Sequence, residues 1–230
     1  MRSEVIVPAR SLALTLVTLL ALACGSPAAA PSPSPTPAPA TTAPATTAPA
    51  AEAGALTFQV QAGSKAVVRV REQLANVSAP NDAVLETTDV KGSFGLRPDG
   101  AFTAASKITV GLEALKSDSN IRDGFIKSST LEVRRFPTAD FVPVRATGLP
   151  VPLPATGEWT FQLTGKLTVH GVEKEVTWEV KATRTAAGIT ASAKNAPTWK
   201  FGDFDMRVPR AASVLSVVDE IRVELELTAR

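Results

Sequence analysis

The 230-residue chain contains one histidine and one cysteine, so side chains suited to nucleophilic, metal or proton-transfer chemistry are few. His170 lies in GKLTVHGVEKEVTWEV, Gly165 to Val180, and Cys24 closes the apolar run ahead of it in LALAC. An imidazole can move a proton or bind a metal, but metal sites need several ligands. No second His or Cys follows Cys24, and no carboxylates cluster at ligand spacing. A Ser-His-Asp triad would have to use this same histidine. The chain has no Gly-x-Ser-x-Gly elbow and no Gly-rich phosphate loop opening a helix. Asp203 and Asp205 in FGDFDM could be read as a carboxylate pair, yet two acids beside a strand end are more often turn chemistry. No catalytic or metal-binding residue is therefore assigned. What His170 does have is a glycine after it. A two-residue hairpin turn of the favoured type needs positive φ at both central positions, and His is among the few non-glycine residues enriched there.

The elements around that turn follow a period of two, the mark of half-buried strands. If His170-Gly171 is the loop, Val169 faces Val172, Leu167 faces Lys174, Gly165 faces Val176, Leu163 faces Trp178 and Phe161 faces Val180. One register then serves both faces, and a slip of one residue would invert them. Alternation recurs in 101–112, where Phe102, Ile108 and Val110 share a side, and in 159–169, where Trp159, Phe161, Leu163 and Leu167 do. It recurs again at 176–182 and at 221–228. Weaker strands fit 57–60, 66–70, 90–96, 141–146 and 188–193. One short helix is expected near 120–125, with Asn120 as its cap and Asp123 three residues on as in a capping box. Eight or nine strands with one wet face each are antiparallel. A sheet of that size splits into a sandwich or closes into a barrel, and periodicity cannot distinguish a packed core from a cavity.

The rest of the chain bounds the setting. Residues 1–24 have a charged start, a short uncharged apolar run and a small residue before Cys24, which is the pattern of an export signal. LALAC resembles a bacterial lipoprotein box, and implies that Cys24 carries a lipid anchor on the membrane. Residues 25–54 are Pro, Ala, Thr and Ser with almost no charge. They cannot bury enough surface to fold, and read as a disordered linker or stalk. Residues 55–230 are long enough for one domain with a core of its own. They hold no cysteine, which excludes a disulfide-stapled scaffold. A net charge of +2 spread evenly along the chain does not argue for nucleic acid.

Several motifs, in order, resemble the YceI-like proteins. LKSDSNIRDGFIKSSTLEVRRFP (Leu115 to Pro137) is similar to that family's Arg-Asp … Phe-Pro segment. GKLTVHGVEKEVTWEV is similar to its Gly-x-Leu-Thr-x-His-Gly-Val hairpin, and VKGSF, FGDFDM and VVDEIRVELEL to its early and closing elements. The sequence departs from the family at Phe125-Ile126 and Leu131-Glu132, and 73–86 reads as an insertion between early strands. The resemblance implies an all-β fold: an antiparallel, eight-stranded, lipocalin-like up-and-down barrel with one short helix near one end. It implies an exported, non-catalytic protein that needs no cofactor and holds a polyisoprenoid or quinone-like lipid in the lumen.

The expected function is a membrane-tethered cell-envelope protein that binds an isoprenoid or similar amphipathic lipid. The expected lumen residues are Phe102, Ile108, Val110, Trp159, Phe161 and Leu163. Leu167, Trp178, Val180, Val223 and Leu225 complete the set. Arg122 and Asp123 are placed at the mouth, as head-group contacts or as helix caps or a local ion pair. The alternative is a stalked interaction or stress-related module with a solid barrel core and a protein partner.

Overall fold

The computed structural model describes Glu52 and residues 54–230; Cys24, the expected export signal and most of the expected linker lie outside the described residues. Ten strands form one antiparallel sheet. They are β1 (Leu56–Gln59), β2 (Lys65–Leu74), β3 (Asn81–Thr87), β4 (Val90–Leu96) and β5 (Lys107–Gly111). After the helical segment come β6 (Thr138–Thr147), β7 (Gly157–Val169), β8 (Val172–Thr185), β9 (Gly188–Asn195) and β10 (Val214–Ala229).

Ten strands serve as eight staves because two of them are bent. β1 pairs with β4 and β2 with β3 in nearly the same register, so 56–96 is one long hairpin with a kink in each arm. In the first arm Gly63, at φ +95°, turns the chain. The buried Ser64 hydroxyl repairs the ladder there, donating to Gln61 O at 2.9 Å and accepting from Thr228 N at 3.0 Å. In the second arm the Thr87 hydroxyl, also buried, donates to Gly111 O at 3.3 Å and accepts from Asp89 N at 3.1 Å. β10 runs along β2 and continues to β1, where Arg230 N donates to Gln59 O at 3.0 Å and Gln61 N to Thr228 O at 2.8 Å. With β9 on its other side, β10 closes the ring. On the outer wall Asp82 accepts from Arg222 at 2.8 Å and from Arg71 at 3.3 Å; chiefly the Arg222 hydrogen bond holds its carboxyl below the usual range.

The hairpin register is as the sequence predicts: Val169 opposite Val172 through Leu163 opposite Trp178 to Phe161 opposite Val180. His170 and Gly171 have φ of +52° and +77°, which is the two-residue turn. Three expectations are corrected. Residues 81–87 belong to a barrel strand, not an insertion. Ala83, Leu85 and Thr87 point inward, but Ala83 is too small and Thr87 too polar to give a strong apolar period. The strand expected over 101–112 exists only at Lys107–Gly111. Before it, Phe102 makes an isolated bridge to Leu96, and Ser106 turns inward to bond the backbone of Gly95. The helix α1 (Asn120–Phe125) is capped by Ser119, whose hydroxyl accepts from Arg122 N at 3.3 Å, and not by Asn120. A π-helical turn continues it over Ile126–Thr130, and a 3₁₀ turn spans Phe201–Phe204.

Core side chains face the lumen from every stave, and a small cluster of Leu85, Leu112, Leu115 and Val133 fixes the helical segment to the wall. A Cβ on Gly171 would lie 2.6 Å from the Phe136 ring. Gly171→Ala therefore combines a disfavoured φ with a clash. It should cost roughly 1–3 kcal/mol in denaturant unfolding, whereas His170→Asn, which tolerates the same φ, should preserve the turn.

Candidate functional site

The lumen is not filled by its own side chains. A cavity of about 560 Å³ occupies the end that carries α1, and a second of about 110 Å³ lies at the opposite end. The upper chamber is walled by the inward residues of β2 and β10: Ala66, Val68 and Val70 opposite Leu225, Val223 and Ile221. Its other wall is a chain of edge-to-face aromatic rings. Phe141 meets Trp178 at 6.0 Å, Trp178 meets Trp199 at 5.1 Å, and Trp199 meets Phe204 at 5.6 Å. Such pairs add about 0.5–1.5 kcal/mol each beyond burial, so this wall is stiff. The Trp178 indole N–H is buried without a hydrogen-bond acceptor among the described residues; aromatic rings pack around it instead.

Ile108, Phe141, Trp178 and Leu225 line both chambers and form a waist between them. Gly165 makes room for this waist, since a Cβ there would sit 2.5 Å from the Phe141 ring and push it into the lumen. Below the waist the lining is wholly apolar, from Phe58, Phe94, Phe102, Trp159 and Phe161. The loop carrying Leu149 and Leu153 floors this chamber, and Arg184 pins it by donating to Pro154 O at 2.9 Å.

The upper chamber reaches the surface at α1. Its lining includes Ile121, which is 87% exposed, and the exposed Asp118. Just inside this mouth lies a charged pair. Glu72, 6% exposed, accepts from Arg122 Nη2 at 2.8 Å, and Arg122 Nη1 also bonds Asp118. Asp123 is buried behind them, taking hydrogen bonds from Ser117 N at 2.8 Å and Ser117 Oγ at 2.6 Å.

The expected site residues divide accordingly. Ile108, Val110, Leu167, Trp178, Val223 and Leu225 line the upper chamber, with Arg122 at its mouth. Phe102, Trp159, Phe161, Leu163 and Val180 line the lower one. Asp123 lines neither; it braces the helix start through Ser117, which is the capping alternative and not the head-group one. Cys24 lies outside the described residues. Glu72 was missed because the second strand was read only to Val70. Continued two residues further, the inward row Ala66, Val68, Val70, Glu72, Leu74 carries a carboxylate on its apolar face, and that is the signal.

His170 does more than turn the chain. Its side chain is only 10% exposed; Nδ1 donates to Phe204 O at 3.2 Å, and the ring packs on Phe136 at 4.6 Å. Nε2 faces Glu132 Oε1 at 3.3 Å without hydrogen-bond alignment. The turn thus fastens the 3₁₀ segment and the chain after α1 to the mouth. Asp203 makes a parallel link. It accepts from Lys174 at 2.6 Å and from Lys200 N at 2.8 Å, and Lys174 first, then the Lys200 amide, hold its carboxyl below the usual range. Asp205, at φ +53°, ends the 3₁₀ turn, so these acids are turn chemistry as the sequence predicts.

A model of the YceI-like domain matches residues 52–229. The chain belongs to that family. A UPF0312 protein of Pseudomonas putida (strain GB-1) is 36% identical over 134 residues, 54% of this chain and 64% of that protein. A UPF0312 protein of Azotobacter vinelandii is 41% identical over 91 residues, 38% of this chain and 43% of the relative. The matched stretch thus spans less than two thirds of these relatives. Among solved structures, the YceI-like barrel is similar to a polyisoprenoid binding domain from Saccharophagus degradans implicated in plant cell wall breakdown. That match has a TM-score of 0.56 and 14% identity over 75% of this chain and 97% of that one. It is also similar to Burkholderia cenocepacia BcnA, with a TM-score of 0.54 and 19% identity over 74% and 99%.

Arg122→Ala leaves the Glu72 carboxylate buried and unpaired, and should cost about 3 kcal/mol in urea unfolding; adding Glu72→Gln should recover much of that loss. The depressed Asp203 carboxyl contributes stability that is complete above its ordinary value of 3.8 and is lost as pH falls through the lower folded value. Asp203→Asn should therefore flatten the acid limb of the stability profile below about pH 4, read by thermal melts across pH.

Proposed function

We propose that this YceI-like chain is a binding protein that takes up the apolar chain of an isoprenoid or similar amphipathic lipid, tethered to a membrane through Cys24. The observation that carries the reading is the cavity of about 560 Å³, apolar apart from its mouth, inside a closed barrel. Pockets that hold small ligands fall in about the same range of size. At about 25 cal/mol per Å² of buried apolar surface, a long hydrocarbon needs no polar anchor to bind well. The void also favours this reading over a solid-cored interaction module. The similar fold of a polyisoprenoid binding domain supports the choice of ligand class.

The described chain enters the barrel at Leu56, at the end opposite the mouth, so an attachment ahead of the barrel leaves the mouth uncovered.

Native mass spectrometry of the purified chain, with organic extraction of the sample, is the test. An added mass that is released as a prenyl lipid, or uptake of an added prenyl lipid at one per chain, is expected. A single ligand-free mass with no uptake would sink the reading. Val68→Phe with Val223→Phe puts bulk into the void instead of the packed wall. This pair should keep the circular dichroism of the parent and lose uptake at least tenfold.

A further inference from the structure

We propose that the mouth of the upper chamber selects an uncharged head group: a prenyl alcohol, phenol or quinone, and not a prenyl phosphate or diphosphate. The inference rests on the lipid-binding reading and concerns its head-group end. Among the described residues, three charged side chains line the chamber: Glu72, Asp118 and Arg122. The single guanidinium is already engaged by both acids and lies 3.4 Å from Ser117 Oγ, which in turn holds the buried Asp123. One cation therefore faces three carboxylates, two of them buried.

A phosphate head has two routes to Arg122, and both are unfavourable. It can displace the Glu72 carboxylate, which then stays buried without its partner. Or it can stand beside that carboxylate, where like charges repel strongly in a partly dry site. The exposed Arg207 and Arg210 precede β10 but line no part of the chamber, and solvent and salt screen them. A neutral head meets neither obstacle. Only Oε1 of Glu72 is engaged and the Nε–H of Arg122 has no acceptor among the described residues, so a hydroxyl can donate to the one and a carbonyl accept from the other. Asn76, Ser119, Thr130 and Ser213 add only neutral polar groups to the lining. The apolar tail then lies on the aromatic wall and points to the waist.

The test is titration of the purified chain with a prenyl alcohol, a prenylated benzoquinone and a prenyl diphosphate of equal chain length, below their micelle concentrations. Quenching of the Trp178 and Trp199 fluorescence, both in the chamber wall, gives the affinity. The alcohol and quinone should bind at least tenfold more tightly than the diphosphate. Glu72→Gln, which keeps an acceptor for Arg122 but removes the charge, should narrow that gap at least threefold by tightening the diphosphate. Should Glu72→Gln fail to fold, Asp118→Asn, on an exposed side chain, should narrow the gap in the same direction. A diphosphate that binds as tightly as the alcohol overturns the head-group assignment and leaves lipid binding standing. So does a gap that neither substitution changes. Failure of all three ligands to bind overturns both readings.

Discussion

Closure of the sheet is the constraint on which the rest depends. A ring of eight staves leaves no free edge, and in exchange it fixes the width of the interior. The two long arms of the first hairpin would be too straight to complete that ring. They bend at Gly63 and at Thr88–Asp89, and each bend breaks a ladder. Ser64 and Thr87 replace the lost backbone bonds with hydroxyls, which explains why two small polar residues are among the most buried in the protein. An orphaned buried backbone group costs about as much as a lost hydrogen bond, so these hydroxyls are what make the bends tolerable.

The lumen then follows from the sum of small choices. Where β2 and β10 face each other, the inward pairs are Ala66 with Leu225, Val68 with Val223 and Val70 with Ile221, none of them aromatic. The bulk lies on the other side, in Phe141, Trp178, Trp199 and Phe204, and those rings hold each other against the wall. Gly165 lets Phe141 lie back. Small residues on one side and self-supporting rings on the other leave a void that neither side can close by relaxing.

Much of this was legible from alternation. The hairpin through His170 could be placed residue by residue, because the turn chemistry and the two faces of the strands agreed on one register. Every expected lumen residue lies on the wall of one chamber or the other. The division into two chambers was not legible, since it depends on where the rings at 141, 178 and 199 meet across strands far apart in sequence. β3 was hidden by the weak apolarity of Ala83 and Thr87. The capping residue was misplaced by one, because Ser119 and Asn120 are both good caps and only the backbone decides between them.

The charged pair at the mouth has a different logic from the rest. Burying Glu72 and Arg122 costs desolvation that their attraction only roughly offsets, and apolar residues of the same size would hold the helix as well. Stability alone therefore does not account for a carboxylate on the apolar row of β2. What the pair adds is direction. It gives the chamber one polar end, at α1, and leaves the other wholly apolar, a polarity that matches the amphipathic lipid proposed as its guest. His170 acts on the same chamber, whose wall includes its neighbour Val169 and its partner Phe204. By tying the turn to Phe204 O and packing on Phe136, it fixes the segments that frame the opening. The sole histidine thus shapes the entrance through its backbone and its ring, with no step of chemistry required of it.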